Sequence, residues 1–156
     1  MEIVKAKIED LVTVRNITES TIKSIYPRYY PAGAVEFFLM HHSDEHIAED
    51  ILAGKVVVLY EAGKPVGTVT VSDNSINRLF VLPEYQHKGF GKALLDFAEK
   101  KILESYEYVR IDASFPAKRI YLRRGYRETE YNIIEAENGD CLCYDVMRLE
   151  KKDGVK

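Results

Sequence analysis

Between Ser75 and Glu104 the chain reads SINRLFVLPEYQHKGFGKALLDFAEKKILE. Residues 76–82 are mostly apolar or β-branched, a composition typical of a buried strand. Pro83 has no N–H to donate to a sheet ladder, so the strand should end there. From Gly91 to Leu103 apolar residues recur at the spacing of an amphipathic helix. Gly89 and Gly91 are therefore predicted to lie where a strand turns into a helix.

The first turn of that helix is a candidate anion site. Its unpaired backbone N–H groups and positive dipole end favour a ligand such as phosphate. Glycines at 89 and 91 let the backbone approach closely, and Lys88 and Lys92 add positive charge. Two nucleotide patterns do not fit, because G-x-G-x-x-G needs a third glycine at Leu94 and a Walker loop needs four residues between its glycines. A plain glycine-shaped turn is the alternative.

Residues 86–91, which follow Val81-Leu82-Pro83, resemble the pyrophosphate loop Q/R-x-x-G-x-G/A of the GNAT superfamily of acyl-CoA-dependent N-acyltransferases. Residues 114–126 resemble a second pattern of that family, N-x-x-A-x-x-L/F-Y-x-x-x-G-F. The positions that agree with it are Ala117, Tyr121, Gly125 and Tyr126. Ser114 stands where the family usually has asparagine, although a hydroxyl can also donate and accept a hydrogen bond.

The resemblance implies an α/β (α+β) fold with a mixed central sheet of about seven strands flanked by helices, in the order β-α-α-β-β-β-α-β-α-β-β. A single domain over residues 1–150 and a polar tail over 151–156 are expected from the length. The pattern predicts strands over 2–8, 55–60, 65–71, 76–82, 108–113, 126–136 and 141–149, and helices from Ile8 to Pro27, over 44–52, from Gly91 to Leu103 and over 116–124.

The activity that the resemblance implies is transfer of an acetyl group from acetyl-CoA to a primary amine, by direct attack in a ternary complex. Tyr121 would protonate the departing thiolate, and a backbone N–H near Val81 would stabilise the oxyanion. The residues implied to contact acetyl-CoA are Leu79, Phe80, Val81, Gln86, His87, Lys88, Gly89, Phe90, Gly91, Lys92, Ser114, Ala117 and Arg124.

The amine acceptor is assigned to Tyr29, Tyr30 and Asn77, although packing beneath the tyrosine-rich loop is an equal use for the tyrosines. An ammonium must lose a proton before it attacks, so a base or a water chain is needed. No single base stands out. The carboxylates considered for that role are Asp73, Glu36 and Glu84.

Metal chemistry is not expected. His42 and His46 are four residues apart, but Ser43 between them predicts a helix cap, so the two rings should not share a helix face. Cys141 and Cys143, at alternate positions of one strand, are too far apart for a disulfide. The thiols should therefore stay reduced, as in a cytoplasmic protein.

Charge and hydropathy restrict the partners. A formal net charge of −3 carries no basic footprint for nucleic acid. The chain has no secretory leader pattern and no apolar run near the ~20 residues that span a bilayer, so no membrane partner is expected. A homodimer is possible. A non-catalytic acyl-CoA-binding regulatory module and a protein-interaction domain are the alternative functions.

Overall fold

A mixed seven-stranded sheet forms the centre of the computed structural model, which describes residues 1–152. The strands are β1 Glu2–Lys5, β2 Val56–Glu61, β3 Lys64–Ser72, β4 Ser75–Val81, β5 Tyr108–Ala113, β6 Arg127–Glu135 and β7 Cys141–Glu150. Their spatial order is β1-β2-β3-β4-β5-β7-β6. Only β4 and β5 pair in parallel within the described residues. The predicted fold class is confirmed; residues 153–156 of the predicted tail lie outside the described residues.

Five α-helices cover the sheet in the described chain: α1 Leu11–Ile25, α2 Ala32–His41, α3 Asp44–Leu52, α4 Phe90–Leu103 and α5 Phe115–Arg123. The sequence-based order lacked α2, so that order is wrong by one helix. Apolar residues occupy all sides of α2, which therefore shows no helical period in the sequence. Its N-terminus is held from far along the chain, because the Gly33 N–H donates to the Asp140 carboxylate at 2.8 Å.

Most other predicted boundaries differ from the structure by one or two residues. The first strand ends earlier than expected, at Lys5, because residues 8–10 form a 3-10 turn. The Ser43 cap is confirmed, since its hydroxyl accepts a hydrogen bond from the His46 N–H. No helix among residues 1–152 is long and apolar enough to cross a membrane.

The two faces of the sheet carry separate cores. Along β2, Val56 and Val58 pack under α1, α2 and α3, whereas Val57 and Leu59 pack under α4. This alternation follows from the two-residue period of a strand covered on both faces. The N-terminal helices and the α4–α5 pair therefore lie on opposite sides of the sheet.

A gap opens in the middle of the sheet between β4 and β5. These strands pair only through Ser75 with Arg110 and Ile76 with Ile111 in the described chain, and they separate beyond that point. The pairing of β4 with β3 is also interrupted by a bulge between Asn77 and Phe80, where Arg78 has a φ of 49°. The gap connects the two helical layers and is the natural place for a ligand.

Candidate active site between the separated strands

A cleft of about 730 Å³ runs through this gap. It is lined from one side by α1 and α2, from the other by α4 and α5, and along its length by β4, β5 and β7. The predicted site residues that line it are Asn77, Leu79, Phe80, Val81, Gln86, His87, Gly89, Gly91, Lys92, Ser114, Ala117, Tyr121 and Arg124. Two sequence segments that are far apart in the chain thus meet at one cleft.

Two predicted cofactor contacts lie outside the cleft lining. The Lys88 ammonium lies over the Tyr85 ring, 5.4 Å from its centroid. Phe90 packs edge-to-face against the same ring at 6.3 Å. The side chains of Lys88 and Phe90 thus pack on Tyr85, away from the cleft. Any contact of these two residues with a ligand in the cleft would be made by their backbone N–H groups.

Tyr29 and Tyr30 also lie outside the lining, so the structure does not support them as acceptor contacts. Tyr29 points to solvent and is 51% exposed. Tyr30 is buried, its hydroxyl accepts a hydrogen bond from the Phe115 N–H at 2.7 Å, and its ring stacks on Phe115 at 5.1 Å. This is the packing role that the sequence left open. Tyr26, from the same loop, is the tyrosine that lines the cleft.

The glycine loop leaves its backbone open towards the cleft. Gly89 is the N-cap of α4 with a φ of 90°, and a Cβ there would meet nothing within 4 Å. A Cβ on Gly91 would meet only Val81 Cγ2, at 3.9 Å. The first helical hydrogen bond runs from Ala93 N–H to the Gly89 carbonyl, so the N–H groups of residues 90–92 have no partner within the helix. This arrangement fits an anion such as a pyrophosphate.

The end of β4 presents a peptide group to the gap. The Leu82 N–H donates to the Val66 carbonyl in β3, so the neighbouring Val81 peptide points the other way. The Val81 carbonyl accepts a hydrogen bond from Gln86 Nε2 at 2.9 Å, and the Thr21 hydroxyl oxygen lies 3.3 Å from it. Gln86 therefore fastens the loop to the strand end, and the Val81 N–H faces the gap.

Tyr121 reaches the cleft from α5 and is only 5% exposed. Burial, with smaller contributions from Tyr26 and the Glu99 carboxylate, raises the pKa of its phenol well above the ordinary value. The hydroxyl therefore keeps its proton throughout the neutral range. A protonated, partly enclosed hydroxyl is suited to donate a proton inside the cleft.

The positively charged side chains near the glycine loop differ in whether ion pairs hold them. Arg124 is bonded to both Glu99 and Asp96 of α4 and so locks α5 to α4. Lys92 pairs with Asp96 at 2.8 Å. Arg123, which sequence reasoning missed, is exposed and lines the cleft, and no ion pair within residues 1–152 engages it. Its guanidinium is available to an anionic ligand.

The opposite end of the cleft is formed by residues that were not predicted. Tyr26, Phe37, Phe38, His41 and His42 line it from α2 and the turn before it. Burial, together with the nearby Arg78, lowers the pKa of His42 to about 3, and burial with His46 and Arg78 lowers the pKa of His41. Both imidazoles are neutral at pH 7. Two sequence features could have indicated these residues: the tyrosine-rich loop and the adjacent histidines at 41 and 42.

None of the carboxylates considered as bases lines the cleft. Glu36, Asp73 and Glu84 are exposed on the outer surface. Within the described residues Asp112 is the one carboxylate of the cleft lining, and it accepts a hydrogen bond from Arg110 at 3.3 Å.

Comparison with known families gives a match to the model of the acetyltransferase (GNAT) domain over residues 25–139. The chain belongs to the GNAT family. The general reaction of GNAT enzymes is acetyl-CoA-dependent N-acetyl transfer. A curated relative, the uncharacterised N-acetyltransferase YafP of Escherichia coli K12, is 31% identical over 87 residues. That match covers 56% of this chain and 55% of YafP, so the chain matches about half the length of this relative.

Solved structures confirm the GNAT fold. A GCN5-related N-acetyltransferase from Rhodopseudomonas palustris superposes with a TM-score of 0.86 at 24% identity, over 96% of this chain and 95% of that one. The PaiA N-acetyltransferase of Thermoplasma acidophilum, solved with coenzyme A, gives a TM-score of 0.72 at 22% identity, over 96% and 98% of the two chains. At this identity the likeness concerns the fold.

Proposed function

We propose that this protein acetylates a primary amine with acetyl-CoA, by direct attack of the amine on the thioester. One observation carries the proposal: the gap between β4 and β5 has an open glycine loop at a helix N-terminus on one side and the protonated Tyr121 hydroxyl within it. Acetyl-CoA would supply the activated acyl group as a thioester, whose leaving group is a thiol with a cysteine-like pKa of about 8.5.

The residues around the glycine loop would hold the cofactor. The N–H groups of residues 90–92 would donate to the pyrophosphate, and Lys92 and Arg123 would add charge at the same end. Leu79, Phe80 and Ala117 would contact the chain that leads to the thioester, where the β4–β5 ladder is interrupted. The exposed ladder groups of β4 would then pair with the amide groups of that chain.

His41 is the base that this arrangement supports best. It lines the acceptor end, it is neutral at pH 7, and its ring is exposed enough to pass a proton to water. His42 is less suited, because its Nδ1 is enclosed without a hydrogen-bond partner in the described residues and its pKa is about 3. His41 would take the proton of the attacking ammonium.

The proton balance closes with two side chains. The amine nitrogen forms the amide bond, the carbon–sulfur bond breaks, and the electron pair leaves on sulfur. The nitrogen loses two protons in all. His41 receives the first, which frees the amine to attack, and passes it to water. The second leaves the nitrogen of the tetrahedral intermediate and replaces the proton that Tyr121 donates to the thiolate, while the Val81 N–H donates to the oxyanion that develops in between. Cys141 and Cys143 lie outside the cleft lining of the described chain, which supports direct attack over an acyl-cysteine route.

Cofactor binding is tested by thermal unfolding. At about 100 times its Kd, CoA should raise the melting temperature by roughly 5–10 °C, while ATP and NAD should leave it unchanged. The matched pair is Gly91→Val and Gly91→Ala. Alanine, which the family pattern also has at this position and whose Cβ makes one ordinary contact at 3.9 Å, should retain CoA binding. The branched valine should weaken it tenfold or more, since a displaced hydrogen bond to a charged group costs about 1.5–3 kcal/mol. An equal shift with ATP would contradict the proposal.

The base assignment predicts a particular pH profile. A base works only when deprotonated, and the pKa of His41 lies below its ordinary value, so kcat/KM should be level near neutral pH and fall as pH drops through that lowered pKa. His41→Gln should remove this acid limb and reduce kcat about 10²-fold. Glu36→Gln, on the exposed side of the same helix, should leave the profile unchanged. An unaltered acid limb in His41→Gln would exclude His41 as the base.

A further inference from the structure

The acceptor end of the cleft is built largely from rings. Tyr26 packs edge-on against Phe38, with ring centroids 4.6 Å apart, and lies 6.3 Å from Phe80. His42 meets Phe80 edge-on at 5.6 Å, and the rings of Phe37 and His41 lie parallel at 6.2 Å. Aromatic walls of this kind favour apolar or ring-bearing ligands.

The β6–β7 hairpin completes this apolar lining. Ile134 lies opposite Leu142 across the hairpin, and both line the cleft together with Tyr144. The Thr21 hydroxyl, on the α1 side, is already used, because it donates to the Ile17 carbonyl at 2.8 Å. This part of the wall is therefore apolar apart from the Tyr144 hydroxyl.

The charged groups near the acceptor end are already paired with one another. The Arg78 guanidinium, with a side chain only 4% exposed, bonds to Asp50 at 2.9 Å and to the Thr70 hydroxyl at 3.0 Å. Asp112 pairs with Arg110 at 3.3 Å. A second ammonium group on the acceptor would find no unpaired carboxylate in the described lining, and an acceptor carboxylate could not reach the enclosed Arg78 side chain.

From this pairing and the ring-lined walls we infer that the acceptor is a monoamine, with the reacting ammonium as its only charge and an apolar or aromatic body. The inference rests on the proposed function, since it names the substrate class of the same site. It excludes diamines, polyamines and lysine-like dications as preferred acceptors, because a buried unpaired ammonium is costly.

Hexylamine and 1,6-diaminohexane provide a matched test. They share a chain length and a reactive group, and the diamine, with two equivalent amines, has the statistical advantage. Hexylamine should nevertheless be acetylated with a kcat/KM at least about tenfold higher, measured by release of free CoA thiol. Phenethylamine should be a substrate of similar or better efficiency. Equal or greater efficiency with the diamine would overturn the inference.

Binding to the CoA complex separates this inference from the proposed function. If CoA binds but no amine is acetylated, the proposed reaction fails, yet calorimetric titration of the CoA complex still compares the two amines. Tighter binding of hexylamine supports the substrate class, while tighter binding of the diamine, or no binding of hexylamine, overturns it.

A variant pair connects the preference to the ring-lined wall. Phe37→Ala should lower kcat/KM for hexylamine about tenfold, since it removes a large apolar contact from the acceptor end. Met40→Ala, on the same helix but 71% exposed, should leave it unchanged. If the two variants had the same kcat/KM for hexylamine, the face of α2 that carries Phe37 would not contribute to acceptor recognition.

Discussion

Tyr121→Phe is expected to lower kcat by roughly 10², with the KM for acetyl-CoA nearly unchanged. The substitution keeps the buried ring and removes the hydroxyl, whose raised pKa keeps it protonated at neutral pH. An interaction that matters only as the thiolate departs affects kcat and not ground-state binding. Steady-state kinetics with an active amine, measured by thiol release, provide the test.

Tyr126→Phe is the matched control for this prediction. The Tyr126 ring lies 5.5 Å from that of Tyr121, and its hydroxyl donates to Glu99 at 3.2 Å, but it does not line the cleft within the described residues. The Tyr126→Phe variant should be slightly less stable than the wild type and should keep the wild-type kcat.

The pH profile of the wild type gives a second test of Tyr121. Because burial raises the pKa of Tyr121, the wild-type rate should show no alkaline loss from this group until well above pH 10. Full activity of Tyr121→Phe across neutral pH would remove Tyr121 from the mechanism.

Asp50→Ala is expected to lower the free energy of unfolding by about 3 kcal/mol. It would leave the Arg78 guanidinium, which is almost completely buried beside the cleft, with the Thr70 hydroxyl as its one remaining partner in the described chain. Asp50 itself is partly exposed, which places the effect at the lower end of the range for a broken buried pair. Denaturant unfolding provides the measurement.

Glu19→Ala supplies the comparison. Glu19 pairs with Lys23 on the surface of α1 at 3.3 Å, and both side chains are well exposed. Loss of such a pair should change the unfolding free energy by less than about 1 kcal/mol. Arg78 lies at the β4 bulge, so its pair with Asp50 should stabilise that bulge. Asp50→Ala being no more destabilising than Glu19→Ala would contradict this role. If the bulge does depend on the pair, CoA affinity should also fall in Asp50→Ala, because the gap between β4 and β5 begins there.

Local patterns in the sequence determined the features whose physical cause is local. The strand, the glycine loop and the amphipathic helix of residues 76–103 needed only period, turn chemistry and a helix N-terminus, and the structure reproduces them nearly to the residue. The individual strands were also local signals, whereas their assembly into one mixed sheet of about seven strands was implied by the family resemblance. The end of β4 and the helix α5 that carries Tyr121 were likewise predicted from their local sequence patterns.

Only the tertiary structure decided which residues form the end of the cleft that we propose for the acceptor, because those residues are brought there by contacts distant in the chain. Tyr26, Tyr29 and Tyr30 look alike in the sequence, yet only Tyr26 lines the cleft, since the Tyr30 hydroxyl is used by the Phe115 N–H, 85 positions away. The helix α2 shows no period and is held at Gly33 by Asp140. His41 faces the cleft only because that helix forms. Burial and long-range pairing, which set the pKa of His41 and fix Arg78 on Asp50, exist only in the folded chain.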